Sequence, residues 1–185
     1  MPIQMSYEFY IYEGELWLRD SDGHSELVDA SKTDLLNKVL DKVKEDYPAA
    51  YEALRERYKD SSPNKIYYKY LMAVRFIRCN FGVLDSTFLD IQEDRFNFER
   101  ISCPIRSECK YDGIICSPTF NTSLSKIELK VCELWYKGMT KEEIGGILYL
   151  SPYTVNNHIR NAYAKVGCHE KSEFVKFVEA HNLFR

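Results

Sequence analysis

Two stretches of this sequence carry side chains whose types and spacing can do chemistry. The first holds four of the six cysteines, Cys79, Cys103, Cys109 and Cys116, within RCNFG and CPIRSECKYDGIIC. In a reducing compartment such clustering points to metal or redox chemistry rather than to disulfides. Four thiolates suit a tetrahedral zinc ion, which would staple a polar, loop-rich segment with little apolar content of its own. An iron–sulfur cluster is the alternative, because Pro104 follows Cys103 and Cys-Pro is common in cluster ligation. Thiols without a metal are the third reading, since the gaps of 23, 5 and 6 residues contain no Cys-x-x-Cys pair. Cys132 and Cys168 read as small hydrophobes.

The second stretch is SPYTVNNHIRNAYAK, residues 151 to 165. Read as a helix, it turns Val155, Ile159, Ala162, Tyr163 and Val166 inward and Tyr153, Asn156, Asn157, Arg160 and Asn161 outward. Arg pairs bidentately with guanine and Asn with adenine, while Lys141, Lys165 and the hydroxyls of Ser151 and Thr154 suit phosphate. Asn is a poor helix former, so these side chains on a solvated face bring no helical stability.

The elements that must position this face are legible in the residues before it. Ser125 with Glu128, and Thr140 with Glu143, each fit a capping box that opens a helix. Ile127, Val131, Leu134 and Trp135 form the apolar stripe of the first helix, which Gly138 closes in a left-handed conformation. Ile144, Ile147 and Leu148 face inward on the second. Ser151 caps the third, with Pro152 at its first position. Residues 169 to 185, with Phe174, Val175, Phe177 and Val178, form a fourth helix whose apolar edge either closes the core or meets a second copy.

Residues 124 to 167 resemble the LuxR-type (GerE-like) helix-turn-helix. Leu124, Ser125 and Glu128 match its opening Leu-Thr-x-x-Glu, and Glu143, Ile144, Gly145 and Leu148 match Glu-Ile-Ala-x-x-Leu. Ser151, Thr154, Val155 and His158 match Ser-x-x-Thr-Val-x-x-His, and Lys165, Val166 and Gly167 match Lys-Leu-Gly. The resemblance implies a four-helix DNA-binding bundle over residues 122–185, with Asn156, Asn157 and Arg160 facing the groove and His158 in a structural role. Gly145 stands where the family has Ala, and Gly146 follows it, at about 1 kcal/mol each relative to Ala in a helix interior.

The resemblance implies a non-enzymatic bacterial transcription regulator that binds double-stranded DNA, with RNA polymerase as a further partner. No stretch has the roughly 18 to 20 apolar residues of a membrane span, and the opening MPIQMSYEFY lacks a signal-type leader, so a cytoplasmic location is expected. Residues 1–121 carry 16 basic and 21 acidic side chains, a net of -5, whereas 122–185 carry 9 and 7, a net of +2. So small an excess predicts weak binding by one copy and favours a homodimer on two half-sites. The alternative is a metal-stabilised protein-interaction module, or a protein like sigma-factor region four, using the bundle on a protein partner.

Residues 1–121 read as an α+β region with the Cys-rich segment at 79–116, in a chain that is mainly α. YEFYIYEGELWLRD alternates about Glu13-Gly14 and predicts a small hairpin bringing Phe9, Ile11, Leu16 and Leu18 together. A helical cover is expected over 31–58, capped by Ser31 and either kinked or split at Pro48. Residues 60–64, with Ser61, Ser62, Pro63 and Asn64 in succession, read as a linker. A further helix runs from Lys65 to Cys79, with Tyr67, Leu71, Val74, Phe76 and Ile77 as its apolar positions. The alternating strands and phospho-acceptor Asp of a receiver domain do not occur here, and the region is too short for a lactone-binding domain.

Overall fold

The structure, a computed structural model, describes residues 6–84, 89–92, 95–99, 101–181 and 183–184. The leader reading of the first five residues, and residues 182 and 185 of the C-terminal segment, lie outside these. The chain divides into two compact units, residues 1–121 and 122–185, and its class is α+β.

In the first unit, β1 (Ser6–Tyr12) and β2 (Glu15–Asp20) form the hairpin, with Phe9 opposite Leu18 and Ile11 opposite Leu16. Glu13 and Gly14 both have positive φ, at 52° and 81°, the backbone of a two-residue hairpin turn whose twist matches the strands. The hairpin is the centre of a larger sheet. β3 (Ser25–Leu27), β4 (Ile91–Gln92) and β5 (Arg95–Phe96) extend it to five antiparallel strands in the order β3-β2-β1-β4-β5. These added strands have two or three residues each, too short to show an alternating pattern; β3 and β5 pair with their neighbours in the chain, and β4 joins the sheet through β1, some 85 residues before it. Phe9, Leu16 and Leu18 are buried, while Ile11 stays 42% exposed.

Three helices follow in this unit: α1 (Thr33–Asp46), α2 (Pro48–Arg57) and α3 (Lys65–Asn80). Pro48 separates α1 from α2 cleanly. Tyr47 ends α1 by donating its N–H to Val43, and Pro48, which has no N–H to leave unsatisfied, is the first residue of α2. Ser31 does not cap α1; its N–H and hydroxyl both bond Asp29 Oδ1, at 2.8 and 2.5 Å, and Lys32 occupies the cap position. The 60–64 segment is also more ordered than a linker. Lys59–Ser61 forms a 3-10 turn, and Asn64 caps α3 by accepting from the Tyr67 N–H at 3.1 Å.

The buried stripe of α3 is Met72, Ala73, Phe76, Ile77 and Asn80, rotated from the expected Tyr67, Leu71 and Val74; Tyr67 is 47% exposed. Tertiary packing sets this phase. Phe76 joins Tyr47, Phe81, Phe96 and Phe98 in an aromatic core with ring centroids 5.2 to 6.4 Å apart. Each fully buried Phe contributes on the order of 1.5–3 kcal/mol by burial.

The second unit consists of α4 (Lys126–Tyr136), α5 (Lys141–Leu148), α6 (Pro152–Val166) and α7 (Lys171–His181). Val131, Ile144, Val155 and Ile159 form its centre, with Leu134, Trp135, Leu148 and Tyr163 packed around them. Ile127 and Ile147 lie outside this core, 37% and 48% exposed, although the periodicity placed both inward. No helix is long and apolar enough to cross a membrane among the described residues.

Candidate functional site

α6 is held by local chemistry at both ends. Ser151 Oγ accepts from the Thr154 N–H at 3.1 Å, Pro152 takes the first helical position, and Gly167 ends the helix at φ 73°. Before it, both capping boxes close. Ser125 N–H donates to Glu128 Oε2 at 2.7 Å, and Thr140 N–H donates to Glu143 Oε2 at 2.8 Å, with the reciprocal bonds also present.

The turn from α5 to α6 depends on two unusual positions. Tyr149 ends α5 in a left-handed conformation, φ 56°, with its side chain 96% exposed. Leu150 then folds back so that its N–H bonds the Gly145 carbonyl at 2.9 Å. A Cβ on Gly145 would lie 2.5 Å from the Leu150 carbonyl oxygen, so the close approach itself calls for glycine. Gly146 meets nothing within 4 Å and carries only the propensity cost.

The nine polar residues read as a DNA face fall into two groups. Among the described residues, the side chains of Tyr153, Asn157, Arg160 and Asn161 make no hydrogen bond or ion pair, and Tyr153 is 75% exposed. The other five are engaged within the unit. Lys141 Nζ donates to Asn156 Oδ1 at 2.7 Å, and Ser151 and Thr154 share a hydroxyl contact of 2.8 Å. Lys165 Nζ sits 2.6 Å from Glu128 Oε2, tying the end of α6 to the start of α4.

Glu128 is buried, which opposes its charge, yet the Lys165 ammonium and the Ser125 cap outweigh that and hold its carboxyl down at about 2. Trp135 braces the same region. Its indole N–H donates to Tyr163 Oη at 2.9 Å, and the Lys171 ammonium lies 4.1 Å from its ring centroid. His158 is half-buried. Phe174 and Val178 of α7 are buried, and Phe174 stacks on Tyr163 at 5.3 Å, so that helix closes the bundle core.

The cysteines of the first unit occupy a different kind of environment. Asn80, 1% exposed, ends α3 and clamps the chain that returns past it: its Nδ2 donates to the Ile115 carbonyl at 2.8 Å, and its Oδ1 accepts from the Ser117 N–H at 2.8 Å. Cys116, between these two anchors, is thereby placed against Cys79, the residue beside Asn80. The interaction between the two thiols pushes Cys79 up and, with Arg106 and Arg75 nearby, Cys116 down although burial resists it. Cys103 lies within electrostatic reach of Cys79, and Cys109 within reach of Arg75. Among the described residues no three of these sulfurs fall within 4.8 Å of one another.

The grouping of ligand-type side chains that is that tight, Asp20, Asp22 and His24, is the turn joining β2 to β3. There Asp20 Oδ1 accepts the Asp22 and His24 N–H groups, each at 2.9 Å, and the geometry is that of the turn itself. Asn80, Arg75 and Arg106 carry no signal in the sequence, because their roles depend on residues distant in the chain, as in the Asn80–Ser117 bond across 37 positions. Cys132 is fully buried in α4, where desolvation pushes its thiol up to about 12, and Cys168 is also buried.

Residues 122–178 match the family described as bacterial regulatory proteins, luxR family. Over 52 residues, 28% of this chain and 70% of the relative, the chain is 42% identical to spore germination protein GerE of Bacillus subtilis (strain 168). No solved structure matches the chain. With both capping boxes closed and α6 capped where the match falls, the chain belongs to the luxR family of bacterial regulatory proteins.

Proposed function

We propose that this chain is a sequence-specific DNA-binding transcription regulator that acts without catalysis and inserts α6 into the major groove. The observation that carries the reading is the unengaged face of α6, where Tyr153, Asn157, Arg160 and Asn161 present donors and acceptors that the fold does not use. Arg160 is suited to guanine and Asn157 and Asn161 to adenine, whereas Tyr153, at the helix start, suits the backbone or a base methyl. Asn156 would reach the groove with its amide N–H while its oxygen is held by Lys141. Lys141 keeps further N–H donors for phosphate, as Ser151 and Thr154 keep part of their hydroxyl capacity.

Lys165 is the residue whose role shifts most. Its ammonium is committed to a buried carboxylate, so it positions α6 and adds less to phosphate binding than its charge suggests. Few cations are left on the face, which supports a homodimer on paired half-sites. RNA polymerase would be a partner of the DNA-bound form.

Genome-wide occupancy of the full chain, followed by binding to an enriched site, tests the proposal. Arg160→Ala is expected to weaken binding by about 1–3 kcal/mol and to relax preference at one base position. Unchanged affinity would remove Arg160 from the reading face. No enriched sites, together with capture of polymerase without DNA, would favour use of the bundle on a protein.

A further inference from the structure

We propose that Tyr149, in the turn between α5 and α6, is a DNA-backbone contact whose hydroxyl donates to a phosphate at the edge of the groove that α6 enters. The inference rests on the reading of α6 as the groove helix and adds a residue to it.

Among the described residues Tyr149 is the most exposed large apolar side chain, at 96%, and its backbone conformation is one that bulky residues avoid. Three non-glycine residues have positive φ there: Glu13, Ser117 and Tyr149. Glu13 sits in the hairpin turn, where the twist of the strands calls for that conformation. Ser117 is small, and its N–H is held by Asn80 Oδ1 at 2.8 Å. Tyr149 ends α5 at φ 56°, a place that glycine or asparagine fills without pressing a Cβ against the following carbonyl. The tyrosine is strained there, and its ring gains no contact in the unit to offset the strain.

Four tyrosines are exposed among the described residues. Tyr12 packs edge-on against Trp17 at 6.5 Å, and Tyr67 stacks on Tyr70 at 6.1 Å. Tyr149 and Tyr153 make no hydrogen bond or ring contact, and they bracket Ser151 and Pro152, the cap and first residue of α6. The two spare phenols therefore stand at the end of α6 that leads into the groove.

In a helix-turn-helix the first helix crosses the sugar–phosphate backbone and the N-terminal residues of the second reach base edges, so the turn between them passes over the phosphates. Leu150 folds back through its N–H bond to Gly145 at 2.9 Å, while the Tyr149 ring stays outside. A phenol O–H donates to phosphate oxygen, and its ring covers the adjacent sugar. The first-turn N–H groups of α6 and the hydroxyls of Ser151 and Thr154 beside it select an anion rather than an apolar protein surface. Neutral donors also suit a unit with a net charge of only +2, in which Lys165 is paired with Glu128.

The test compares the full parent chain with Tyr149→Phe and Tyr149→Gly on two duplexes, a site enriched in genome-wide occupancy and an unrelated sequence of equal length, over a range of salt. Tyr149→Phe is expected to bind both duplexes roughly threefold to tenfold more weakly. Its salt slope should match that of the parent, because a neutral hydroxyl releases no counterion. Tyr149→Gly, relieved of the strain, is expected to melt at a higher temperature than the parent and yet to bind at least as weakly as Tyr149→Phe. Parent-like affinity in both variants would overturn the proposal and leave α6 as the reading helix, which Arg160→Ala tests separately. Parent-like affinity with loss of transcription from the enriched site would assign the ring to polymerase and overturn it equally. A Tyr149→Gly protein that melts lower would show that the ring supports the fold instead. If the parent binds neither duplex, the DNA reading itself falls and the Tyr149 contact with it.

Discussion

At the scale of single residues, the C-terminal unit separates side chains that hold the fold from side chains that remain available. Glu128 belongs to the first kind, since it closes the α4 capping box and pairs with Lys165. Its folded pKa, about 2, lies below the ordinary carboxylate value of 4.5. The stability it adds is therefore complete above that ordinary value and is lost as pH falls toward about 2. Glu128→Gln is expected to lower stability by about 1–3 kcal/mol at neutral pH. Denaturant titrations of both proteins from neutral pH to pH 3 should show the gap narrowing; a constant gap would mean that the charge of Glu128 is not what stabilises. Arg160 belongs to the second kind, and its removal should leave stability unchanged while DNA affinity falls.

At the scale of elements, the α5–α6 turn determines how α6 is presented, and two adjacent glycines there behave oppositely. Gly146 is in open space, so Gly146→Ala should stabilise the unit by about 1 kcal/mol through helix propensity. Gly145→Ala gains the same propensity but drives a Cβ against the Leu150 carbonyl, and the net effect should be destabilising, with weaker DNA binding as α6 shifts. Thermal melts of the two variants decide the matter; a Gly145→Ala protein as stable as Gly146→Ala would show that the turn relaxes freely. The helix starts at Ser125, Thr140 and Ser151 were readable because a cap is a contact between residues three apart. The inward placement of Ile127 and Ile147 was not, since a helical period defines a stripe only to within a residue or so and the neighbouring helices choose its edge.

At the scale of the whole molecule, the charge distribution sets how DNA is held. The first 121 residues carry a net of -5 and the rest +2, and one of those cations, Lys165, is neutralised internally. Affinity should fall with salt at a slope of about 0.9 per neutralised phosphate, and the slope should be shallow for one copy and about double for a dimer. Binding isotherms over a range of salt, paired with sedimentation at the same concentrations, check both; a steep slope from a monomer would contradict the picture.

What is local could be read from the residues alone: the caps at Ser125, Thr140 and Ser151, the Glu13-Gly14 turn and an interruption at Pro48 all depend on residues within a turn or two of each other. Tertiary structure alone decided what depends on distant partners. Those decisions include the pairing of β4 with β1, the buried phase of α3, the engagement of Lys165 by Glu128, and the placing of Cys116 beside Cys79 through Asn80. The reason is physical. A cap or a turn is chosen by bonds that its own few residues can form, whereas a pair 37 residues apart exists only once the packed core has paid its loop-closure entropy.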